Sequence, residues 1–385
     1  MTAPVAGNSA HATVVPVKSG DVGRFIRVPG GIFRDDPHWV PPLLLERRMH
    51  LSPSNPYFKH ARWQSWIAYR GAKPVGRISA QVDQLHLDRY GDDTGFFGML
   101  DAEDDPQTVT SLFDAAEAWL REQGMRRVRG PFSLSINDET GLLVDGFQTP
   151  PMVMMGHARP YYAQHVAACG YDKAVDVLAY MITPDFERSP TMSRLLDRVG
   201  GDIRVRPLRR KHFDQELETL RDIFNDAWSD NWGFVPFTRD EFEELGKNLK
   251  LLVDDDFIQI AEVAGEPAAF IATLPNINEA IRDLNGRLLP LGWLKLLWRL
   301  KVGYPKTARI PLMGVRKKFH HGRLGPALAF LVIEALRDPV MRRGIEQVEL
   351  SWILENNEGM RHIIESIGGR MYKRYRIYEK DLTAP

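Results

Sequence analysis

The residues between 310 and 326 have the makings of an anion site. Ile310-Pro311-Leu312-Met313-Gly314-Val315 reads as a buried strand that runs into Arg316-Lys317-Lys318-Phe319-His320-His321-Gly322-Arg323-Leu324-Gly325. Pro326 then falls near the first turn of a helix. A strand, a basic glycine loop and a helix N-terminus in succession aim backbone N–H groups and the positive end of a helix dipole at one point. Glycine lets a phosphate come close to that backbone. A solvated basic loop would carry the same charge, but the strand–loop–helix order favours phosphate. Val315, Arg316, Lys317, Lys318, Gly322, Arg323, Leu324 and Gly325 are the candidate cofactor-binding residues. This is not a Walker loop, because no G-x-x-x-x-G-K-[ST] occurs. The chain also lacks a G-x-S-x-G elbow and an H-E-x-x-H motif, so neither a serine nucleophile nor a metal is expected.

The elements that must position this loop occur twice. Ile67-Ala68-Tyr69-Arg70-Gly71-Ala72-Lys73-Pro74 and Ile260-Ala261-Glu262-Val263-Ala264-Gly265-Glu266-Pro267 share a β-rich run, a glycine turn, then proline and a second run. Ile67/Ile260, Pro74/Pro267 and Ile78/Ile271 all differ by 193. An amphipathic helix, a glycine turn and a strand follow over 111–136 and again over 327–354; Gly124/Gly344, Val128/Val348 and Asn137/Asn357 differ by 220. A short helix ending in glycine comes next in each copy, at 161–170 and 360–368. The repeat predicts two α/β domains, each a mixed sheet flanked by helices, over 21–185 and 203–385. A junction at 186–202 joins them, and 1–20 reads as a disordered tail. The offsets differ by 27 residues (220 − 193), which places an insertion in the second copy, at 276–307. The first copy's equivalent loop, Asp101-Ala102-Glu103-Asp104-Asp105-Pro106, repels phosphate, so one phosphate site is expected, in the second half.

Bulk composition narrows the classes of function. A chain of 385 residues, 44% hydrophobic and 26% charged, can bury sizeable cores. Lys+Arg and Asp+Glu number 50 each, which argues against a protein that coats nucleic acid. The single cysteine, Cys169, excludes a disulfide framework and any zinc site with two or more thiolates. No apolar run reaches the ~18 residues of a spanning helix. The first twenty residues lack the basic and apolar regions of a signal peptide, so the expected location is the cytoplasm.

The order strand, basic glycine loop, helix, strand ending in Asn and helix ending in Gly resembles the GNAT acyltransferase superfamily, whose members bind the pyrophosphate of coenzyme A on that loop. Val348 to Trp352, Asn357 and Gly368 match its second motif, which adds Asn357 to the cofactor-binding set. Two positions depart from the pattern. The usual loop is [RQ]-x-x-G-x-[GA], whereas His320-His321-Gly322-Arg323-Leu324-Gly325 has its first glycine one place early. The tyrosine that often serves as general acid falls at Ile364, leaving Tyr375, Tyr378 or water to protonate the thiolate. Asp36-Pro37-His38-Trp39-Val40-Pro41-Pro42, Asn55-Pro56-Tyr57-Phe58 and Asn137-Asp138-Glu139-Thr140-Gly141 further resemble the bacterial ceramide synthase-like family of GNAT-fold proteins. The resemblance implies tandem GNAT-like domains, the first without a coenzyme loop. It also implies transfer of a fatty acyl group from acyl-CoA or an acyl-carrier protein to the amine of a sphingoid-base-like lipid.

Two stretches independently suit a lipid. In 287–302, Trp293, Leu294, Leu296, Leu297, Trp298 and Leu300 fill a wide arc at about 100° per residue, with Lys295 and Arg299 opposite and Lys301 inside the apolar arc. This suits a membrane interface on the inner face or the mouth of a lipid cavity, and a buried helix with a thin polar edge fits equally well. The stretch 225–238 offers Trp228, Trp232, Phe234 and Phe237 with Asp226, Asp230 and Asn231 among them, an aromatic slot for a long-chain amine. A capped loop packed on the core is its alternative; Thr238 and Glu241 read as a capping box for a helix over 239–249. Trp228, Asp230, Trp232, Phe234, Trp293 and Trp298 are the candidate substrate-binding residues. Amide formation needs an unprotonated amine, hence a general base, and donors for the oxyanion. Glu355 and Glu139, near matching strand ends, are the candidate bases, His362 the next, and Tyr375 the candidate acid. Each could equally cap a helix or pair with a cation, and Asn357 has an ordinary capping position. Two other readings remain: a tandem-GNAT aminoacyl transferase using charged tRNA, which zero net charge weakens, and a non-enzymatic lipid-binding protein.

Overall fold

The computed structural model describes residues 11–188, 190–198, 202–250 and 252–383. The first half opens with β1 (Thr13–Pro16) and three short helices, α1 (Val22–Arg27), α2 (Pro29–Ile32) and α3 (Leu44–His50). The hairpin β2 (Ala61–Arg70) and β3 (Lys73–Asp83) follows, then α4 (Gln84–Tyr90), β4 (Thr94–Ala102), α5 (Pro106–Glu122) and β5 (Arg127–Gly130). The small pair β6 (Phe132–Ser133) and β7 (Glu139–Thr140) precedes β8 (Leu142–Asp145), α6 (Tyr162–Ala168) and β9 (Asp172–Ile182). Helix α7 (Pro190–Arg198) lies in the expected junction, and β1 lies in the expected tail, where it pairs with β2 from Thr13↔Tyr69 to Pro16↔Trp66. Residues 1–10 of that tail are outside the described residues.

The second half repeats the plan. It runs β10 (Ile203–Pro207), α8 (Phe213–Trp228), α9 (Arg239–Leu249), and the hairpin β11 (Ile258–Val263) and β12 (Glu266–Pro275). The insertion carries α10 (Ile277–Ile281) and α11 (Gly292–Lys301). Then come β13 (Thr307–Val315), α12 (Leu324–Ala335), α13 (Arg337–Arg342), β14 (Gln347–Leu354), α14 (Glu358–Ser366) and β15 (Arg370–Asp381). The duplication extends to irregularities. The register of β2/β3 shifts between Ala68 and Tyr69, and that of β11/β12 between Ala261 and Glu262, positions 193 apart. The strand expected over 126–136 is shorter, because Pro131 has no N–H to continue the ladder after Gly130.

All but two strands join one sheet in the order β1-β2-β3-β4-β5-β15-β9-β14-β13-β12-β11-β10, with β8 also on β15. The order is symmetric about the β15–β9 pair. Each half hands its last strand to the other: β15 pairs with β5 of the first half, and β9 with β14 of the second. The cores follow suit. Tyr375, Ile377 and Tyr378 of β15 pack in the first half's core, and Leu178, Tyr180 and Ile182 of β9 in the second's.

A side-chain bridge ties α9 to the first half. His60 lies with Nδ1 2.9 Å from Asp83 Oδ1 and Nε2 3.2 Å from Glu241 Oε1. Glu241 also completes the capping box with Thr238. Burial alone would pull the His60 pKa down, but the two carboxylates outweigh it and push it up to about 9. A raised folded-state value stabilises the protein fully below the ordinary histidine value of 6.5, and this is lost as pH rises through about 9. Thermal melts of the wild type should therefore weaken by about 2 kcal/mol more than those of His60→Gln across this window. Parallel curves for the two proteins would refute the bridge.

Candidate active site

The site begins where two parallel strands part. β13 and β14 pair from Thr307↔Gln347 to Ile310↔Leu350, and no further. Pro311 can donate nothing to the ladder, and beyond it the strands diverge. Pro311 and Leu312 on one side and Trp352 and Leu354 on the other then line an apolar cavity. In the first half β4 and β5 part in the same way after Phe96↔Arg129, but the chain fills its own gap. Gln81 Nε2 donates to the carbonyls of Phe132 (2.8 Å) and Leu134 (2.9 Å), and a Cβ on Gly98 would lie 1.7 Å from Phe132 O. One half is plugged and the other is open.

The open cavity has two lobes. The inner one is walled by Trp228, Trp232 and Phe234 of the α8–α9 region and by Ile136 and Thr140 of the first half. The outer one lies between α8 and α9 and the β12–β13 surface. Asn137, Phe237, Pro311, Leu312 and Trp352 line both, so the lobes meet there. The aromatic stretch is positioned by local bonds: Trp228 Nε1 donates to Met313 O (2.7 Å), and Asn225 exchanges bonds with the backbone of Phe237. Asp230 stays at the rim, 83% exposed, with its carboxylate 2.5 Å from Lys317 Nζ.

A buried polar cluster underlies the junction. Arg309 and Glu349 occupy matched positions on β13 and β14, both with 0% side-chain exposure and 3.4 Å apart. Arg309 Nε donates to Ser351 Oγ (2.8 Å) and Nη1 to Val153 O (3.0 Å), while its guanidinium lies 4.9 Å over the Trp352 ring. Ser351 Oγ donates to Glu349 (2.6 Å), and Tyr372 Oη donates to the other Glu349 oxygen. Lys373, also fully buried, donates to Thr149 O (2.8 Å) and Pro150 O (3.1 Å), and burial pulls its pKa down to about 8. A pairwise reading of the strands exposes the Arg309–Glu349 match, since a lone charge in each of two apolar runs demands a partner.

The basic loop turns tightly from the end of β13 into α12. Leu324 opens that helix and Gly325 lies in its first turn, so Arg323 is the cap residue. Gly322 adopts φ +101°, and a Cβ at Gly325 would lie 2.5 Å from Phe319 O. The loop's charge is more neutralised than its sequence suggests. Arg316 pairs with Asp222 (2.6 Å), Lys317 with Asp230, and Lys318 with Glu266 (2.7 Å), and the Lys317 backbone N–H donates to Asp226 (2.8 Å). Among the described residues Arg323 has no ion pair, and Val315 O contacts His320 Nε2 at 2.6 Å.

The candidate acid–base residues are dispersed. Glu355 accepts from the Asp176 N–H (3.0 Å) and pairs with Lys173 (2.7 Å). Glu139 is bonded to Arg47; burial raises its pKa, but the guanidinium outweighs this and leaves the carboxyl below its usual range. His362 is exposed, with Nδ1 2.8 Å from Glu358 O. Tyr375 is fully buried with an unpartnered hydroxyl, and burial pushes its pKa well up. None of the four lines either lobe. Asn357 caps α14 through the Met360 N–H (3.1 Å), and Ile364 is buried in the second half's core.

No family model matches the chain. It is 48% identical over 383 residues to the bacterial ceramide synthase of Caulobacter vibrioides (strain NA1000 / CB15N), covering 98% of this chain and 100% of that one. The chain belongs to the bacterial ceramide synthase-like family of GNAT-fold proteins. It is an N-acyltransferase. This ceramide synthase-like chain is also 53% identical over 367 residues to protein YghO of Escherichia coli (strain K12), covering 95% and 94% of the two. Solved structures give the same fold. A tandem GNAT protein from the clavulanic acid biosynthesis pathway superposes with a TM-score of 0.55 at 12% identity, over 97% of this chain and 100% of its own. A GCN5-related N-acetyltransferase from Sphaerobacter thermophilus gives 0.53 at 13% identity, over 96% of each.

Proposed function

We propose that this ceramide synthase-like protein transfers a fatty acyl group from an acyl thioester to the primary amine of a long-chain, sphingoid-base-like lipid. The observation that carries the reading is the two-lobed apolar cavity opening at the β13–β14 split, beside the basic loop. An acetyl group would need neither lobe; a fatty chain and an amphiphilic amine need both. In this reading the loop and the first turn of α12 hold the phosphates of coenzyme A, or the phosphopantetheine of a carrier protein. The donor arm passes into the split, and the thioester carbonyl lies at the lobe junction. The unprotonated amine attacks that carbonyl, the C–N bond forms, and the C–S bond breaks to release the thiol. Transfer is direct, without an acyl-enzyme. Trp228, Trp232 and Phe234 wall the acceptor's side of the junction.

The test is incubation of purified protein with sphinganine or 3-ketosphinganine and a panel of saturated acyl-CoAs, followed by mass spectrometry for amides. Acyl-carrier-protein donors form a second panel. An amide product supports the reading; no product from either panel overturns the substrate assignment.

Helix α11 adds a place for the reaction. Arg299 turns toward the protein, donating to Ala280 O (2.7 Å) and pairing with Asp283, which Lys295 also meets at the surface, while Trp293, Leu297 and Trp298 are 45%, 50% and 59% exposed. Leu289, Leu291 and Val302 beside it are more exposed still. No helix among the described residues is long and apolar enough to cross a membrane. An amphipathic helix facing apolar side out suits the interfacial layer of a bilayer. Changing Trp293 and Trp298 together to Glu should lower partition onto phosphatidylglycerol-containing vesicles by about tenfold or more. Equal co-sedimentation of variant and wild type would remove the membrane from this account.

A further inference from the structure

The outer lobe is polar only at its ends. Asn137 and Arg309 stand at the junction, while Arg210, Lys250, Asp254 and Asp255 stand at the far end. Arg210 ties that far end together, donating to Lys250 O and Val253 O (2.8 Å each) and pairing with Asp255. Between the ends the wall is hydrocarbon from α8, α9, β11 and β12. A lobe of this form suits one aliphatic chain whose polar head stays at the junction.

Gly246 and Leu217 meet in this wall. Gly246 lies inside α9, where glycine is disfavoured relative to alanine, so its presence calls for a packing reason. The reason is contact: a Cβ at 246 would lie 2.5 Å from Leu217 Cδ1 and 2.7 Å from its Cδ2. Leu217 itself lines the lobe. Any side chain at 246 must push the Leu217 isobutyl group aside, into the space the chain would use.

We propose that the outer lobe holds the hydrocarbon chain of the acyl group and that the Gly246–Leu217 contact sets its maximum length. This rests on the N-acyl transfer reading above for the identity of the chain. The donor arm arrives from the basic loop, whose Lys317 pairs with Asp230, the residue before Asn231 in the inner lobe's wall. The acyl chain is continuous with the thioester, so it is the part of the donor that runs on past the junction, away from the loop. The amine's own tail lies on the aromatic side.

The test separates chain binding from catalysis. Displacement of a fluorescent polyene fatty acid is measured with saturated fatty acids of increasing length, for wild type, Gly246→Ala, Leu217→Ala and the double variant. Affinity in the wild type should rise about fourfold per added methylene until the lobe is full, then level off. Gly246→Ala should reach that plateau about two carbons sooner, since each lost methylene site forfeits its share. Leu217→Ala should extend it, and the double variant should return toward the wild type. The same order should appear in kcat/KM with an acyl-CoA series at fixed amine. An unchanged plateau in a folded Gly246→Ala, or a Leu217→Ala plateau that does not lengthen, overturns the proposal. So does a shift in preferred amine length with acyl preference unmoved. If the plateau shifts but no amide forms from the sphingoid bases, the lobe binds an aliphatic chain limited by Gly246 and Leu217, and the fatty-acyl, sphingoid-base substrate assignment fails. If amides form and the plateau is fixed, the reverse holds.

Discussion

Replacing Arg309 with methionine is expected to cost about 3–5 kcal/mol of unfolding free energy, because it strands a buried carboxylate. Arg309 and Glu349 are both fully buried, and they face each other one ladder position before the last pair of β13 and β14. Burial pulls the Arg309 pKa down, and Glu349 opposes this. Without the guanidinium, Glu349 keeps only the hydroxyls of Ser351 and Tyr372. Val153 O loses its Nη1 donor at the same time. Removing both charges is a different experiment. Arg309→Met combined with Glu349→Met leaves no unpaired ion, and much of the loss should return, as buried ion pairs are worth little over well-packed hydrocarbon. Denaturant melts of the two single variants and the double form a cycle whose coupling should exceed 2 kcal/mol in magnitude, taking about 2 kcal/mol as large for a contacting pair. Additive losses would mean that the two groups act independently. Arg309 also lines the outer lobe and stacks on Trp352, which lines both lobes, so the double variant should bind chains less well even where it folds.

That pair shows which parts of the molecule a reader of the sequence can reach. The internal repeat is local and explicit, and it holds down to the matched register shifts after Ala68 and Ala261. The capping box of Thr238 and Glu241 and the helix Arg239–Leu249 are likewise written in short-range chemistry. The exchange of final strands is not. β9 and β15 are of similar length and place, and nothing within 172–182 or 370–381 says which half supplies the neighbour; the closure of two cores decides it. The basic loop was legible as a loop, but its partners were not. Asp222, Asp226 and Asp230 approach from α8 and the turn after it, some ninety positions earlier, and they arrive only when β13 packs under that helix. The carboxylates chosen at the strand ends sit close to where pattern placed them, yet Glu139 and Glu355 face Arg47 and Lys173. Residue type and spacing indicate that a charge can do chemistry; its neighbours settle whether it is free to.

Gly325 is where the loop can be tested most severely. The residue is buried in the first turn of α12, and an added Cβ would sit 2.5 Å from Phe319 O and 3.3 Å from the carbonyl carbon. Backbone cannot give way as a side chain can, so any substitution moves the loop. Gly325→Asp adds a negative charge where the donor's phosphates would lie. At a helix N-terminus that carboxylate is electrostatically favourable to the helix itself. The fold should therefore survive while the site fills with the wrong anion. Loss of kcat/KM for acyl-CoA by about a hundredfold or more is expected, equivalent to about 3 kcal/mol of binding and transition-state stabilisation. Gly325→Ala carries the same steric displacement without the charge and should lose less, so the ratio of the two isolates the electrostatic part. Arg323→Glu, which reverses the loop cation without an ion pair among the described residues, should fall between them and recover partly in high salt. Chain binding to the outer lobe should be unchanged in all three, because free fatty acid has no phosphate. If Gly325→Asp keeps acyl-CoA turnover within a factor of about two, the donor does not use this loop. The asymmetry between an open second half and a plugged first half would then need another explanation.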